Sequence, residues 1–166
     1  MRNKKRVIIL ATFLCGLSFA LHSQEKRPGL VSLALGSYGF DRDHPRMSFQ
    51  IEYKAALNYY GLRPQVGAMT TVKQAFYFYG GAAYDLYLGK YFVITPSFCP
   101  GIYFRGNDKD LHYPIEFRSC LEVAGVFKNQ ARLGLEVYHM SNASLAHKNP
   151  GRNSLAVFFS IPLKTD

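Results

Sequence analysis

A chain of 166 residues with 48% hydrophobic and 15% aromatic content can bury one core but not comfortably two, so a single domain is expected. The formal net charge of +9 overstates that domain's basicity: four of the 20 Lys and Arg precede residue 20 with no acid among them, leaving 16 bases against 11 acids, or +5. This moderate excess suits anionic lipid, and without a dense basic run it gives nucleic-acid binding little support.

The chain opens with the pattern of a secretory signal. Arg2, Lys4, Lys5 and Arg6 form a basic n-region, Val7 to Leu17 an apolar h-region, and Ser18-Phe19-Ala20 puts small residues at the cleavage site. Residues 1–20 are expected to be removed, with cleavage falling as late as 23, which leaves 21–166 as the domain. The apolar core is shorter than the roughly 20 residues of a spanning helix, so a retained anchor is the weaker reading. Bulky Leu14 argues against Cys15 as a lipidated cysteine.

Beyond the signal, apolar and polar residues alternate with the period of a strand. Leu30 to Tyr38 sets Val31, Leu33 and Leu35 against Ser32, Ala34 and Gly36. Met47 to Ala55 sets Phe49, Ile51 and Tyr53 against Ser48, Gln50, Glu52 and Lys54. Further strands are expected at 62–69, 74–86, 91–104, 113–127, 131–141 and 153–163, eight in all. Their connections alternate in length. Residues 58–61, 88–90 and 128–130 are tight, 41–46, 105–112 and 142–152 are long and polar, and 71–73 breaks the trend. An even strand count with short turns on one rim and long loops on the other describes an all-β fold, an eight-stranded antiparallel up-and-down outer-membrane β-barrel. Eight strands enclose room for side chains only, so no open pore is expected.

Charge parity separates inside from outside. Glu116, Arg118 and Glu122 share one face of their strand and Phe117, Leu121 and Val123 the other. A charge facing lipid at mid-membrane costs about 2 to 4 kcal/mol, so the charged face should line the interior. Tyr77, Tyr79 and Tyr84 read as lining and interfacial girdle, and Gly80-Gly81, inside a strand, relieves crowding or allows a bend. Cys99 and Cys120 lie nearly symmetrically about the 107–109 turn; a cross-strand disulfide and two buried thiols are equally compatible with that spacing. His44, His112 and His147 fall in loops and read as solvated. No metal-ligand spacing appears among His, Asp and Glu, and no cofactor is implied.

The most informative segment is His139-Met140-Ser141-Asn142-Ala143, followed by Asn149-Pro150-Gly151-Arg152-Asn153-Ser154. His139 and Ser141, two apart on a strand, share the face of Leu133, Leu135 and Val137, while Asn153 begins the stripe Leu155, Val157, Phe159 and Ile161. A base and a nucleophile therefore sit at the end of an apolar stripe. By charge parity that stripe faces lipid, near the long-loop rim, which is the cell exterior if both termini are periplasmic.

This motif resembles that of the lipid A 3-O-deacylase (PagL) family, loosely grouped with acyloxyacyl hydrolases. Asn149 and Gly151 stand at matching distances, and Gly101-Ile102-Tyr103-Phe104 and Pro114-Ile115-Glu116-Phe117-Arg118 support the likeness upstream, whereas the first strands match in architecture alone. The resemblance implies an outer-membrane ester hydrolase that removes an acyl chain from lipid A of lipopolysaccharide, its site facing the outer leaflet. Ser141 would be the nucleophile and His139 its general base. Asn142, Asn149 and Gly151, through side chains or loop amides, would support the oxyanion.

One position departs from the family pattern. Where its triad carries Glu, this chain has Asn153. An Asn accepts the ring N–H and holds the tautomer without neutralising the imidazolium, so activity below that of a Glu-bearing relative is expected, and Asn153→Glu is expected to raise it. A nearby acid would compensate, but Glu136 on the adjacent strand has interior parity. Two other readings stay open: an inactive barrel with a structural or adhesive role, which Asn153 favours, and a soluble lipocalin-like binding barrel, which would carry its charges outside. Sequence leaves acyl position, chain length and oligomeric state open.

Overall fold

A computed structural model describes residues 27–41, 44–56 and 62–163; the signal expected at 1–20 lies outside the described residues. The strands are β1 (Leu30–Tyr38), β2 (Arg46–Lys54), β3 (Leu62–Thr71), β4 (Phe76–Tyr84), β5 (Leu86–Leu88), β6 (Phe92–Phe104), β7 (Ile115–Val126), β8 (Arg132–Ser141) and β9 (Arg152–Pro162). Apart from β4 and β5, which both pair with β6 and not with each other, each strand pairs antiparallel with its sequence neighbours, and β1 pairs with β9, so the sheet closes on itself. Closure abolishes the sheet edges that would otherwise expose unpaired backbone groups.

The barrel has eight staves, as the alternation predicts, because β4 and β5 form one stave in two pieces. They pair with β6 in a single continuing register, Ala83↔Ser97 and then Leu86↔Ile94, which sets Tyr84 opposite Pro96. The other gap in this ladder, at Gly80-Gly81, falls opposite Pro100 and Cys99. Pro96 and Pro100 have the same parity, so their missing N–H groups face the same neighbour. That neighbour is the β4–β5 stave, and the β6–β7 ladder on the other side runs unbroken through both prolines. Gly81 serves a close approach here, since a Cβ on it would lie within 3 Å of the β6 backbone at Phe98 and Cys99.

Inside and outside follow the charge rule. Glu116, Arg118 and Glu122 are buried, whereas Leu135 and Val157 are 54% and 52% exposed on the outer wall. Lys54 lies 2.6 Å from Glu52 and 2.7 Å from Glu122, and Arg118 lies 3.0 Å from Glu136. Gln50 donates to Glu136 at 2.7 Å, and Tyr79 donates to Glu52 at 3.1 Å. Asp85, at the break between β4 and β5, gathers Arg63, Arg132 and Thr95. Burial of these ions is offset by the pairing, whereas the Glu116 carboxylate has no hydrogen-bond partner among the described residues. Tyr38, Tyr77, Tyr79, Tyr103 and Tyr138 pack above this network. The void beside Lys54 measures about 10 Å³, close to the minimum for one water, in keeping with a plugged barrel.

Cys99 and Cys120 are both buried free thiols. Ser97, not Cys99, stands opposite Cys120, and Cys99 stands opposite Arg118. Cys120 approaches Glu122 and Glu136 closely enough to group three potential metal-ligand atoms, a cluster the sequence spacing does not announce. Lys54 and Arg118 already supply the positive charge these carboxylates need.

Candidate active site

β8 and β9 set His139 directly opposite Asn153. Both side chains point outward, because Tyr138, Met140 and Ser154 of the intervening parity are buried inside. His139 Nδ1 and Asn153 Oδ1 are 2.7 Å apart. The other end of the carboxamide donates from Nδ2 to Asp41 Oδ2 at 2.8 Å. A carboxylate only accepts, so Asp41 fixes the amide with its NH₂ toward the acid and its oxygen toward the ring. An oxygen facing Nδ1 requires hydrogen on Nδ1, which leaves Nε2 with its lone pair free for a proton.

Asp41 belongs to the turn after β1, and that turn is tied to the same stretch of β9. Phe40 N–H donates to the Asn153 carbonyl at 3.0 Å, and Gly39 N–H donates to Ser154 Oγ at 3.2 Å. Gly39 takes φ +71°, a left-handed conformation that glycine adopts without strain, and it brings the following residues back over β9. Nothing local to His139 or Ser141 in sequence signals Asp41. The signal that exists is topological: closing an eight-stave barrel puts the β1–β2 loop beside the start of β9.

Ser141, the last residue of β8, shares the outer face with His139 and is half-buried. Among the described residues its hydroxyl makes no hydrogen bond to the ring. Same-face residues two apart on a strand have Cα atoms about 6.6 Å apart, so side-chain rotation suffices to bring Oγ and Nε2 together. Catalytic hydrogen bonds commonly tighten only when substrate is bound.

The chain turns sharply after Ser141. Ala143 and Ser144 adopt successive left-handed conformations, φ +51° and +63°, each unfavourable for an L-residue by about 1 to 2 kcal/mol. Asn142 compensates from inside. Its Oδ1 accepts from Ser144 N–H at 3.0 Å, and its Nδ2 donates to the carbonyls of Leu111 at 3.0 Å and Lys148 at 2.9 Å. With its NH₂ committed to two carbonyls, the Asn142 side chain holds the loop. Asn149 is exposed beside the site; its Oδ1 accepts the Asn142 backbone N–H at 3.1 Å, which leaves its NH₂ as the outward donor end. Gly151, at φ +55°, lies beneath the imidazole.

Of the residues singled out in the sequence, His139, Asn153 and Gly151 meet directly, Ser141 lies beside them, and Asn149 is joined to the backbone that follows the serine. Toward the barrel mouth the site opens into a cleft lined among the described residues by His44, Arg46, Asp108, Lys109, Asn149 and Arg152.

A family model described as lipid A 3-O-deacylase (PagL) matches residues 37–162. Among solved structures, the crystal structure of the outer membrane enzyme PagL is similar at a TM-score of 0.64 and 19% identity, covering 81% of this chain and 99% of that one. Neisserial surface protein A gives 0.61 at 13% identity, with 84% and 98% covered, and a de novo designed transmembrane β-barrel gives 0.56 at 13%, again with 84% and 98% covered. At these identities the structures speak for the fold alone. No curated protein sequence gives a match. The closed barrel and the family match together make this a protein of the bacterial outer membrane. Because the matched span runs from Ser37 on β1 to Pro162 at the end of β9, the chain belongs to the lipid A 3-O-deacylase (PagL) family.

Proposed function

We propose that the protein cleaves the 3-O-linked acyl ester of lipid A by a serine mechanism, on the outer wall of the barrel at the level of the outer leaflet. The observation that carries this reading is the 2.7 Å contact between His139 Nδ1 and Asn153 Oδ1, made between directly paired residues on a wall that is mostly apolar, with exposed Ser119 of β7 on the other side of His139. An orienting acceptor on Nδ1 beside an outward serine has no structural task on a lipid-facing surface, and it is what a general base requires.

Nε2 of His139 takes the proton of Ser141 Oγ as the oxygen attacks the acyl carbonyl carbon. The carbonyl electrons move to oxygen, and the Asn149 NH₂ with loop backbone amides stabilises the resulting charge; one such donor is worth about 2.7 to 4 kcal/mol in a measured hydrolase. Collapse expels the sugar 3-oxygen, which receives the proton from Nε2. Water, activated by the same nitrogen, then releases the fatty acid from Ser141. The acyl chain lies along Leu135, Val137, Leu155 and Val157, all exposed on the outer wall. Phosphorylated sugar suits the cationic cleft lined by Arg46, Lys109 and Arg152.

The test is mass spectrometry of lipid A incubated with folded protein and with Ser141→Ala. Loss of one acyl mass with the first and none with the second is the expected result; equal release by both would sink the serine mechanism.

A further inference from the structure

We infer that Asp41 is the positioning acid of this site, acting on His139 through Asn153. The inference rests on His139 being the general base, and it answers what the Asn at position 153 leaves open: where the negative charge that supports the imidazolium comes from. Asp41 Oδ2 accepts from Asn153 Nδ2 at 2.8 Å, and Asn153 Oδ1 accepts from His139 Nδ1 at 2.7 Å, so the three residues form one directed chain from a carboxylate to a ring nitrogen.

Two consequences follow from that direction. The first is tautomeric. In a serine enzyme whose triad Asp becomes Asn, activity falls about 10⁴-fold because the carboxamide is free to present its NH₂ and enforce the wrong ring tautomer. Here a flipped amide would put its oxygen against the Asp41 carboxylate, so the flip loses that hydrogen bond whichever tautomer the ring takes, and the unflipped amide with Nδ1–H is favoured. The second is electrostatic. A carboxylate hydrogen-bonded to one end of a carboxamide polarises it and makes its oxygen a stronger acceptor, which favours the charged ring that forms during proton transfer.

The backbone around Asp41 is built to deliver it. Gly39 and Phe40 are both hydrogen-bonded to β9, at Ser154 and at Asn153 itself, so the acid is held by the strand it serves. A Cβ on Gly39 would lie 2.8 Å from the Arg152 guanidinium, which shows how closely this turn is laid against β9. Asp41 touches no reacting atom in this scheme, and its effect passes through Asn153.

The experiment measures kcat and KM for lipid A deacylation by the full folded barrel in detergent, for Asp41→Ala, Asp41→Glu and Asp41→Asn, in the natural chain and in an Asn153→Glu background. Heat-modifiable migration establishes equal folded protein. In the natural chain Asp41→Ala should lower kcat by about tenfold or more, the scale of one hydrogen bond to a charged group, with KM nearly unchanged and partial rescue by Glu. In the Asn153→Glu background the sign should reverse. Two facing carboxylates resist joint ionisation, so Asp41→Asn there should raise kcat. Asp41→Ala leaving kcat unchanged, changing KM alone, or lowering kcat by the same factor in both backgrounds would overturn the proposal, the last outcome marking a turn that merely packs. Ser141→Ala run alongside separates the two readings. If it keeps activity, the serine mechanism itself has failed; if it is inactive while Asp41 proves indifferent, this inference alone has failed.

Discussion

The imidazole of His139 lies so close over Gly151 that a Cβ on the glycine would stand 2.9 Å from Cε1 and 3.4 Å from Nε2. Gly151 is also left-handed at φ +55°, so two independent constraints select glycine there. Gly151→Ala is expected to push the ring off its position while leaving the barrel folded. A displacement of about 1 Å at a reacting group can cost about 10²-fold, so kcat should fall on that order with heat-modifiable migration intact. Wild-type turnover in this variant would show that the ring need not occupy its observed place.

Asn142 and Asn149 should separate cleanly by mutation, although both stand beside the serine in the same motif. Asn142→Ala removes three hydrogen bonds from a fully buried side chain and leaves the Leu111 and Lys148 carbonyls without their partner. Each unsatisfied buried group costs about 1 to 3 kcal/mol, so the 142–151 loop should open and become cleavable by protease. Asn149→Ala should leave protease resistance nearly intact and lower kcat by about 10² to 10³ as a lost oxyanion donor. Matching protease patterns for the two variants would refute this division of labour.

The barrel was legible because both of its signals are local: strand alternation has period two, and a lipid-facing charge is costly enough to assign Glu116, Arg118 and Glu122 to the interior. His139 and Asn153 were legible as neighbours for the same reason, since antiparallel pairing of the last two strands brings them level. Asp41 was not, because 112 residues separate it from Asn153 and the loop that carries it has no periodicity to read. The expectation that Asn153→Glu alone raises turnover changes accordingly, since the new acid would meet Asp41. The inward commitment of Asn142 was equally hidden: a strand pattern gives the parity of a residue but not which carbonyls a turn will present to it.

The interior network gives a stability prediction independent of chemistry. Lys54 sits between Glu52 and Glu122, and Lys54→Met would leave both carboxylates buried without their shared cation. Breaking a buried pair from one side costs about 3 to 5 kcal/mol, so this variant should unfold at distinctly lower denaturant. Combining it with Glu52→Gln and Glu122→Gln should recover much of the loss, because neutral groups incur a smaller burial cost. Equal stability of the single and triple variants would show that the charges are not coupled.

Headgroup recognition supplies the last test. Arg46, Lys109 and Arg152 line the cleft that shares Asn149 and Gly151 with the site, so a phosphate on the sugar carrying the scissile ester would meet positive charge without leaving the rim. Lys109 is the cleanest probe, since Arg152 adjoins Asn153 in the chain and Arg46 donates to the His44 carbonyl at 3.1 Å. Lys109→Gln should raise KM for doubly phosphorylated lipid A several-fold with little change in kcat, as expected for an interaction made equally in the ground and transition states. The effect should shrink as salt rises, because an exposed charge pair is screened beyond about 8 to 10 Å at physiological ionic strength. Against a dephosphorylated substrate it should disappear. A KM increase of the same size for both substrates would mean that Lys109 shapes the cleft without reading phosphate.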